Sequence, residues 1–234
     1  MWLPKIDVYG KKCSYLFQGC IYMKGIPFLD ISKSADIRFM FDNCCSLSTI
    51  PYLDFSNTTF TNTTFKTCHS LMYVPPIISA NNGNITNVFN GCSSLKSAEF
   101  YLKESAWQSG YSFQGCRNLV SLKINIKMQT SQTLFYECVN MVQFPDVRAN
   151  KASVNTFYKC YNLRKIKIFE LCTNQDLSYS PFIEKESVLF ALENETATES
   201  ITVTLHASAY ARLAEDPDIV EALANHPLVT LASA

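Results

Sequence analysis

The chain has 234 residues, 47% of them hydrophobic and only 17% charged, and its 20 basic and 20 acidic residues cancel. That length allows one large or two small domains with a substantial core. The balanced charge argues against a nucleic-acid binder, which carries a basic excess, and no run approaches the roughly 20 apolar residues of a membrane span.

Residues 1–13 read as a lead-in without a strong period. The opening Met1-Trp2-Leu3-Pro4-Lys5 lacks the basic segment and apolar core of a secretory signal. The expectation is release by another route, or a leader or larger amino-terminal portion outside this sequence. From Phe17 a repeat begins. Phenylalanines stand at Phe17, Phe41, Phe65, Phe89, Phe113, Phe135 and Phe157, at intervals of 24 residues that shorten to 22 after Phe113. Three residues after each comes a cysteine: Cys20, Cys44, Cys68, Cys92, Cys116, Cys138 and Cys160. Three further on stands Met23, Leu47, Leu71, Leu95, Leu119, Met141 or Leu163. Three columns kept over seven copies exclude chance and predict a solenoid over residues 14–171, each unit stacking on its neighbours.

After each cysteine the pattern leucine-x-x-apolar-x-apolar, as in Leu119-x-x-Leu122-x-Ile124, is that of a leucine-rich-repeat strand. Short parallel strands about 4.8 Å apart over about seven coils predict a rod or arc about 30–35 Å long. The opposite side of each coil is rich in Asn, Ser and Thr and poor in helical period, which predicts turns or a second short strand. Pro27, Pro51, Pro75 and Pro145 follow a strand position and cannot donate to the ladder, so those strands should be short and locally unpaired. The change from 24 to 22 residues should alter the local curvature.

Past Phe169 the grammar changes. Residues 182–193 suit an amphipathic helix with an acidic first turn, apolar at 182, 183, 189, 190 and 192. Ile201 to Leu205 alternates as a strand, 207–214 and 218–225 read as helices, and Val229-Thr230-Leu231 as a final strand. Residues 172–234 therefore form a small α/β module, expected to cover the exposed end of the last coil, with docking to another structure as the alternative. The fold class is a mainly β leucine-rich-repeat solenoid with little helix in the repeats and a carboxy-terminal α/β cap.

Phe89-Asn90-Gly91-Cys92-Ser93-Ser94-Leu95, with Phe41 to Leu47 and Phe113 to Leu119, resembles the BspA-like leucine-rich repeats of bacterial surface proteins. The resemblance covers about residues 14–170. The stretch Ile201 to Leu213 is more loosely similar to a tail that follows such repeats in proteins of gut bacteria and their phages. The resemblance implies binding or adhesion and brings no catalytic residues and no cofactor.

The residues themselves name no reaction. The seven repeat cysteines suit a tight inward column as reduced thiols, and parallel side chains rarely meet the dihedral a disulfide needs. Cys13, Cys45 and Cys172 lie off the column and are the expected reactive thiols. No Cys-x-x-Cys with matching histidines is present for a metal. Cys68-His69 are sequence neighbours whose side chains should diverge, which argues against a catalytic pair. His206 and His226 sit at element ends. Phosphate loops, nucleophile elbows, helical H-E-x-x-H and a recurring carboxylate pair are missing. Asn57, Asn62, Asn84 and Asn194 begin N-x-S/T sequons, which suit solvated turns.

The functional candidate is therefore a surface. If the strand apolar positions point inward, the column Leu29, Leu53, Ile77, Tyr101, Asn125, Val147 and Phe169 lines an open face, and its apolar character marks a contact site. A second column is Gly25, Thr49, Tyr73, Ser97, Ser121, Gln143 and Lys165. The alternative is a register off by one, or a stripe that belongs to the core. The expected function is a non-catalytic binding or structural module on an external surface, with a protein or surface-glycan partner. Within that class the phage particle, as a tail or fibre component, is favoured over a secreted or cell-surface adhesin of a gut bacterium. A glycan-active enzyme is the remote alternative, and assembly as a homo-oligomer or within a larger particle is open.

Overall fold

The computed structural model describes Val8 and residues 12–59, 61–79, 84–102, 110–125, 128–129, 133–149 and 155–234. Of the lead-in expected over 1–13, only Val8, Lys12 and Cys13 fall among them.

Two hydrogen-bond ladders join successive copies. On the phenylalanine side, each copy donates forward: Phe17 N–H to the Met40 carbonyl at 2.9 Å, Phe41 to Thr64, Phe65 to Val88, Phe89 to Ser112, Phe113 to Leu134 and Phe135 to Thr156. On the strand side, copies two to five and copy seven donate back: Ser48 to Lys24, Met72 to Ser48, Lys96 to Met72, Val120 to Lys96 and Arg164 to Val142. The chain turns between these ladders by left-handed residues two before and two after every anchoring phenylalanine. All seven copies carry both, from Tyr15 and Gly19 to Asn155 and Lys159, and only Gly19, Gly91 and Gly115 are glycines. Non-glycine residues hold that region at a cost, so the surrounding rungs must impose it.

The apolar columns lie between the ladders. All seven anchoring phenylalanines are buried. Their rings follow one another at 5.3–6.1 Å, near-parallel except at Phe89–Phe113, where the planes tilt by 30°. Phe100 there meets both rings edge-on, and Phe144 does the same between Phe135 and Phe157. The offset and edge-on geometries are those favoured by ring quadrupoles. The leucine/methionine column is buried from Leu47 onward, and Met23 is half-buried.

Strands are short. β1 (Ile77–Ser79), β2 (Ser97–Leu102) and β3 (Ser121–Ile124) form one parallel sheet. A second is formed by β4 (Met128–Gln129), β5 (Val147–Arg148) and β6 (Ile168–Phe169). Register explains where the prolines matter. Tyr73 bridges Ser97, yet Ile77 pairs with Phe100, so copy three spends four steps where copy four spends three. Gln143 and Lys165 against Val147 and Ile168 show the same extra residue in copy six. The surplus residue falls at Pro75-Pro76 and at Pro145, where no N–H is available for the ladder, as in a β-bulge. Copies with proline thus turn inward at positions three apart (Ile50 and Leu53, Phe144 and Val147). Copies without it turn inward two apart (Ala98 and Phe100, Ile166 and Ile168).

The carboxy-terminal elements are β7 (Gln175–Leu177), α1 (Lys185–Glu193), β8 (Ile201–Leu205), α2 (Ala207–Leu213), α3 (Pro217–Asn225) and β9 (Val229–Ser233). β7, β8 and β9 pair in parallel in that order. Asp216 accepts from the Asp218 N–H at the start of α3, where Pro217 needs no donor partner. The buried face of α1 is Ser187, Val188, Ala191 and Leu192, preceded by Ile183. Phe182 is exposed, Leu189 and Phe190 are half-buried, and the apolar stripe lies one position off that expected. This helix lies on copy seven. The Ile166 amide donates to Ser187 Oγ at 3.0 Å, the Arg164 carbonyl accepts from the Glu184 N–H at 2.9 Å, and Phe190 meets Phe169 edge-on at 4.8 Å.

Candidate functional site: the strand face

Six of the seven column cysteines are tied into the scaffold. Each Sγ from Cys44 to Cys160 donates to the carbonyl of the preceding copy's phenylalanine: Cys44 to Phe17, Cys68 to Phe41, Cys92 to Phe65, Cys116 to Phe89, Cys138 to Phe113 and Cys160 to Phe135, at 2.9–3.2 Å. Burial pushes their thiols up, Cys44 to about 12 and the other five further from any neutral-pH reactivity. Two expectations need correction. Cys20 belongs to the column but is exposed. Cys13, off the column, is buried, its amide donating to the Asp36 carbonyl. Cys45 and Cys172 are half-buried. Cys68 and His69 diverge: the thiol reaches Phe41, whereas His69 Nδ1 lies 2.8 Å from the Gly91 carbonyl. Among the described residues no cluster of His, Cys, Asp and Glu is arranged to hold a metal, and no helix is long and apolar enough to cross a membrane.

The expected face column divides. Leu29, Leu53, Ile77 and Val147 are buried; Tyr101 and Asn125 are exposed; Phe169 is half-buried under Phe190. Half the column is core because the proline bulges shift the inward position by one residue, and a constant offset from the leucine ignores that shift. The second column lies before the bulge and stays in register through the Tyr73–Ser97, Ser97–Ser121 and Gln143–Lys165 pairings. From Thr49 to Lys165 its members face solvent or are only half covered.

The face that solvent meets is strongly apolar over copies one to five. Phe28 is 61% exposed, Tyr52 55%, Tyr73 51%, Ile78 50% and Tyr101 43%, with Met72 and Val120 in the column alongside. Ile78 pairs directly with Tyr101, and Lys96 Nζ stands 5.7 Å over the Tyr73 ring. The Tyr101 hydroxyl donates to Glu99, and that hydrogen bond raises the phenol's pKa. Phe28, Tyr52 and Ile78 were hidden from a constant-offset reading, and the prolines beside them were the signal that could have found them.

Beyond copy five the face changes character. Among the described residues no backbone hydrogen bond joins 117–125 to 139–147, although the phenylalanine ladder continues there. Ion pairs reinforce that continuous side: Glu137 takes Arg117 at 2.6 Å and Lys159 at 2.9 Å, which hold its carboxyl below the usual range. The open side holds a cleft of about 540 Å³ lined by Val120, Ser121, Leu122, Asn125, Gln143 and Asp146. It continues through Gln143, Phe144 and Asp146 into a second of about 580 Å³ that runs past Lys165 and Lys167 to α1.

The model of the BspA-type leucine-rich repeat region matches six copies, over residues 12–109 and 86–188. No curated protein matches the chain. The matched residues run to 188, into α1. With more than half of its 234 residues matched and the repeat visible in both ladders, the chain belongs to the BspA-type leucine-rich-repeat family.

Proposed function

We propose that the protein is a non-catalytic recognition module that binds a protein or a surface glycan through the aromatic strip of its strand face. The carrying observation is the run Phe28, Tyr52, Tyr73, Ile78 and Tyr101, large side chains held 43–61% open to water. Contiguous apolar surface of this kind marks contact sites, and tyrosine supplies contact area at low entropic cost with a polar tip for hydrogen bonds. In this reading the seven copies form one solenoid, and residues 172–234 cap it through α1 on copy seven. The setting is an external surface: a phage virion, as a tail or fibre component, in preference to a secreted or cell-surface adhesin of a gut bacterium.

Two measurements test this. The labelled chain is applied to a panel of intact gut bacteria and to a glycan array, where saturable binding to a subset of cells or glycans is expected. Mass spectrometry of purified phage particles and of surface fractions then assigns the setting. Peptides in the particles support the virion, and peptides confined to the cell surface replace it with the adhesin. Hydrolysis of a bound glycan, abolished by one Asp or Glu substitution, would overturn the non-catalytic reading.

A further inference from the structure

We infer that the wedge between copies five and six is a second binding site, distinct from the aromatic strip, and that it takes an extended polypeptide segment as an added strand. Between copies one and five the residue two after each cysteine donates its amide to the previous copy, as Ser46 does to Ile21, Ser70 to Cys45, Ser94 to His69 and Asn118 to Ser93. Between copies six and seven a side chain spans the same place, Asn162 Nδ2 to the Val139 carbonyl at 2.9 Å. Between copies five and six it takes two side chains, Asn140 Nδ2 reaching Asn118 Oδ1 at 3.4 Å. Separation on the strand side is therefore greatest at this one junction, while Phe113 and Phe135 remain stacked at 5.8 Å on the other.

The cause lies in the shortened repeat. After pairing with β2, copy five crosses over, and Met128 pairs forward with Val147. Among the described residues β3 pairs with β2 alone, which leaves its other edge open. The Ser121 amide donates to Lys96 in copy four, and alternation along a strand turns the amide and carbonyl of Leu122 the other way, into the wedge. Leu122 and Ile124 occupy the inward positions, yet both remain half-buried where Ala98 and Phe100 of copy four are buried. The wedge thus has an open main-chain edge, an apolar floor of Leu122 and Ile124, and a polar rim of Ser121, Asn125, Gln143 and Asp146. A peptide strand satisfies all three features at once: main-chain groups for the edge, an apolar side chain for the floor, polar groups for the rim. A sugar would satisfy the rim alone.

The test uses the full chain and a displayed random dodecapeptide library as probe. Enriched peptides are expected to carry an apolar residue between polar ones. They should slow hydrogen exchange at the Leu122 and Ile124 amides, which exchange fast in the free protein. Two variants should each weaken peptide binding at least tenfold: Leu122→Pro, which removes an edge donor, and Gln143→Trp, which fills the rim from an exposed position. Tyr73→Ser with Tyr101→Ser should leave peptide binding unchanged, which separates this site from the aromatic strip. Failure to enrich any peptide, peptide binding indifferent to Gln143→Trp, or glycan binding that Gln143→Trp abolishes would overturn the proposal.

Discussion

A thiol suits the inward column because it is small enough to let copies approach and still donates a weak hydrogen bond. Each phenylalanine carbonyl from Phe41 to Phe135 receives two donors, the amide of its own copy's cysteine and the Sγ of the next. The thiols also differ sharply in access. Under mild alkylation of the folded protein at neutral pH, Cys20 should react first and Cys45 and Cys172 more slowly. Cys92, Cys116, Cys138 and Cys160 should react only on unfolding, because burial disfavours their thiolates. Peptide mapping of the modified cysteines against time checks the order, and native modification of Cys92 as fast as Cys20 would contradict it. The spacing of Phe, Cys and Leu made this column legible. It could not reveal that Cys20, a member of that column, is exposed.

Among the elements, α1 is joined to copy seven by one side chain with two bonds. Ser187 Oγ accepts from the Ile166 amide and donates to the Arg164 carbonyl. Ser187→Ala should leave the buried amide unpaired and cost about 1–3 kcal/mol, read from denaturant midpoints; an unchanged midpoint would mean that α1 does not hold the strand edge. The Arg117–Glu137–Lys159 cluster predicts a pH dependence. Glu137 is held below its ordinary 4.5, so its contribution is present above that value and is lost as pH falls through the lowered one. Glu137→Gln should flatten the acid limb of melting temperature against pH relative to the parent, and an identical acid limb in the variant would contradict the assignment. In residues 172–234 the three helices, β8 and β9 were readable from period and local signals, whereas β7, only three residues long, was not. The strand register was not. It depends on whether a proline inserts a bulge, and that shift moved Leu29, Leu53, Ile77 and Val147 from the face into the core.

At the level of the molecule, the two sides of the repeat have different tasks. The phenylalanine side is zipped continuously from copy one to copy seven by amides, thiols and ion pairs. The strand side carries the variation, an aromatic strip over copies one to four and a cleft where the ladder parts. Columns that repeat are scaffold, and both proposed recognition sites lie on residues that differ between copies. Repetition makes the scaffold visible in one sequence, whereas a partner leaves no periodic trace. The most direct test of the recognition claim is the double substitution Tyr73→Ser with Tyr101→Ser, measured for binding to the same cell and glycan panel and for melting temperature. Both rings are about half exposed, so the account predicts loss of binding of tenfold or more with little change in melting temperature. A large drop in melting temperature with binding retained would place these tyrosines in the core and contradict the account.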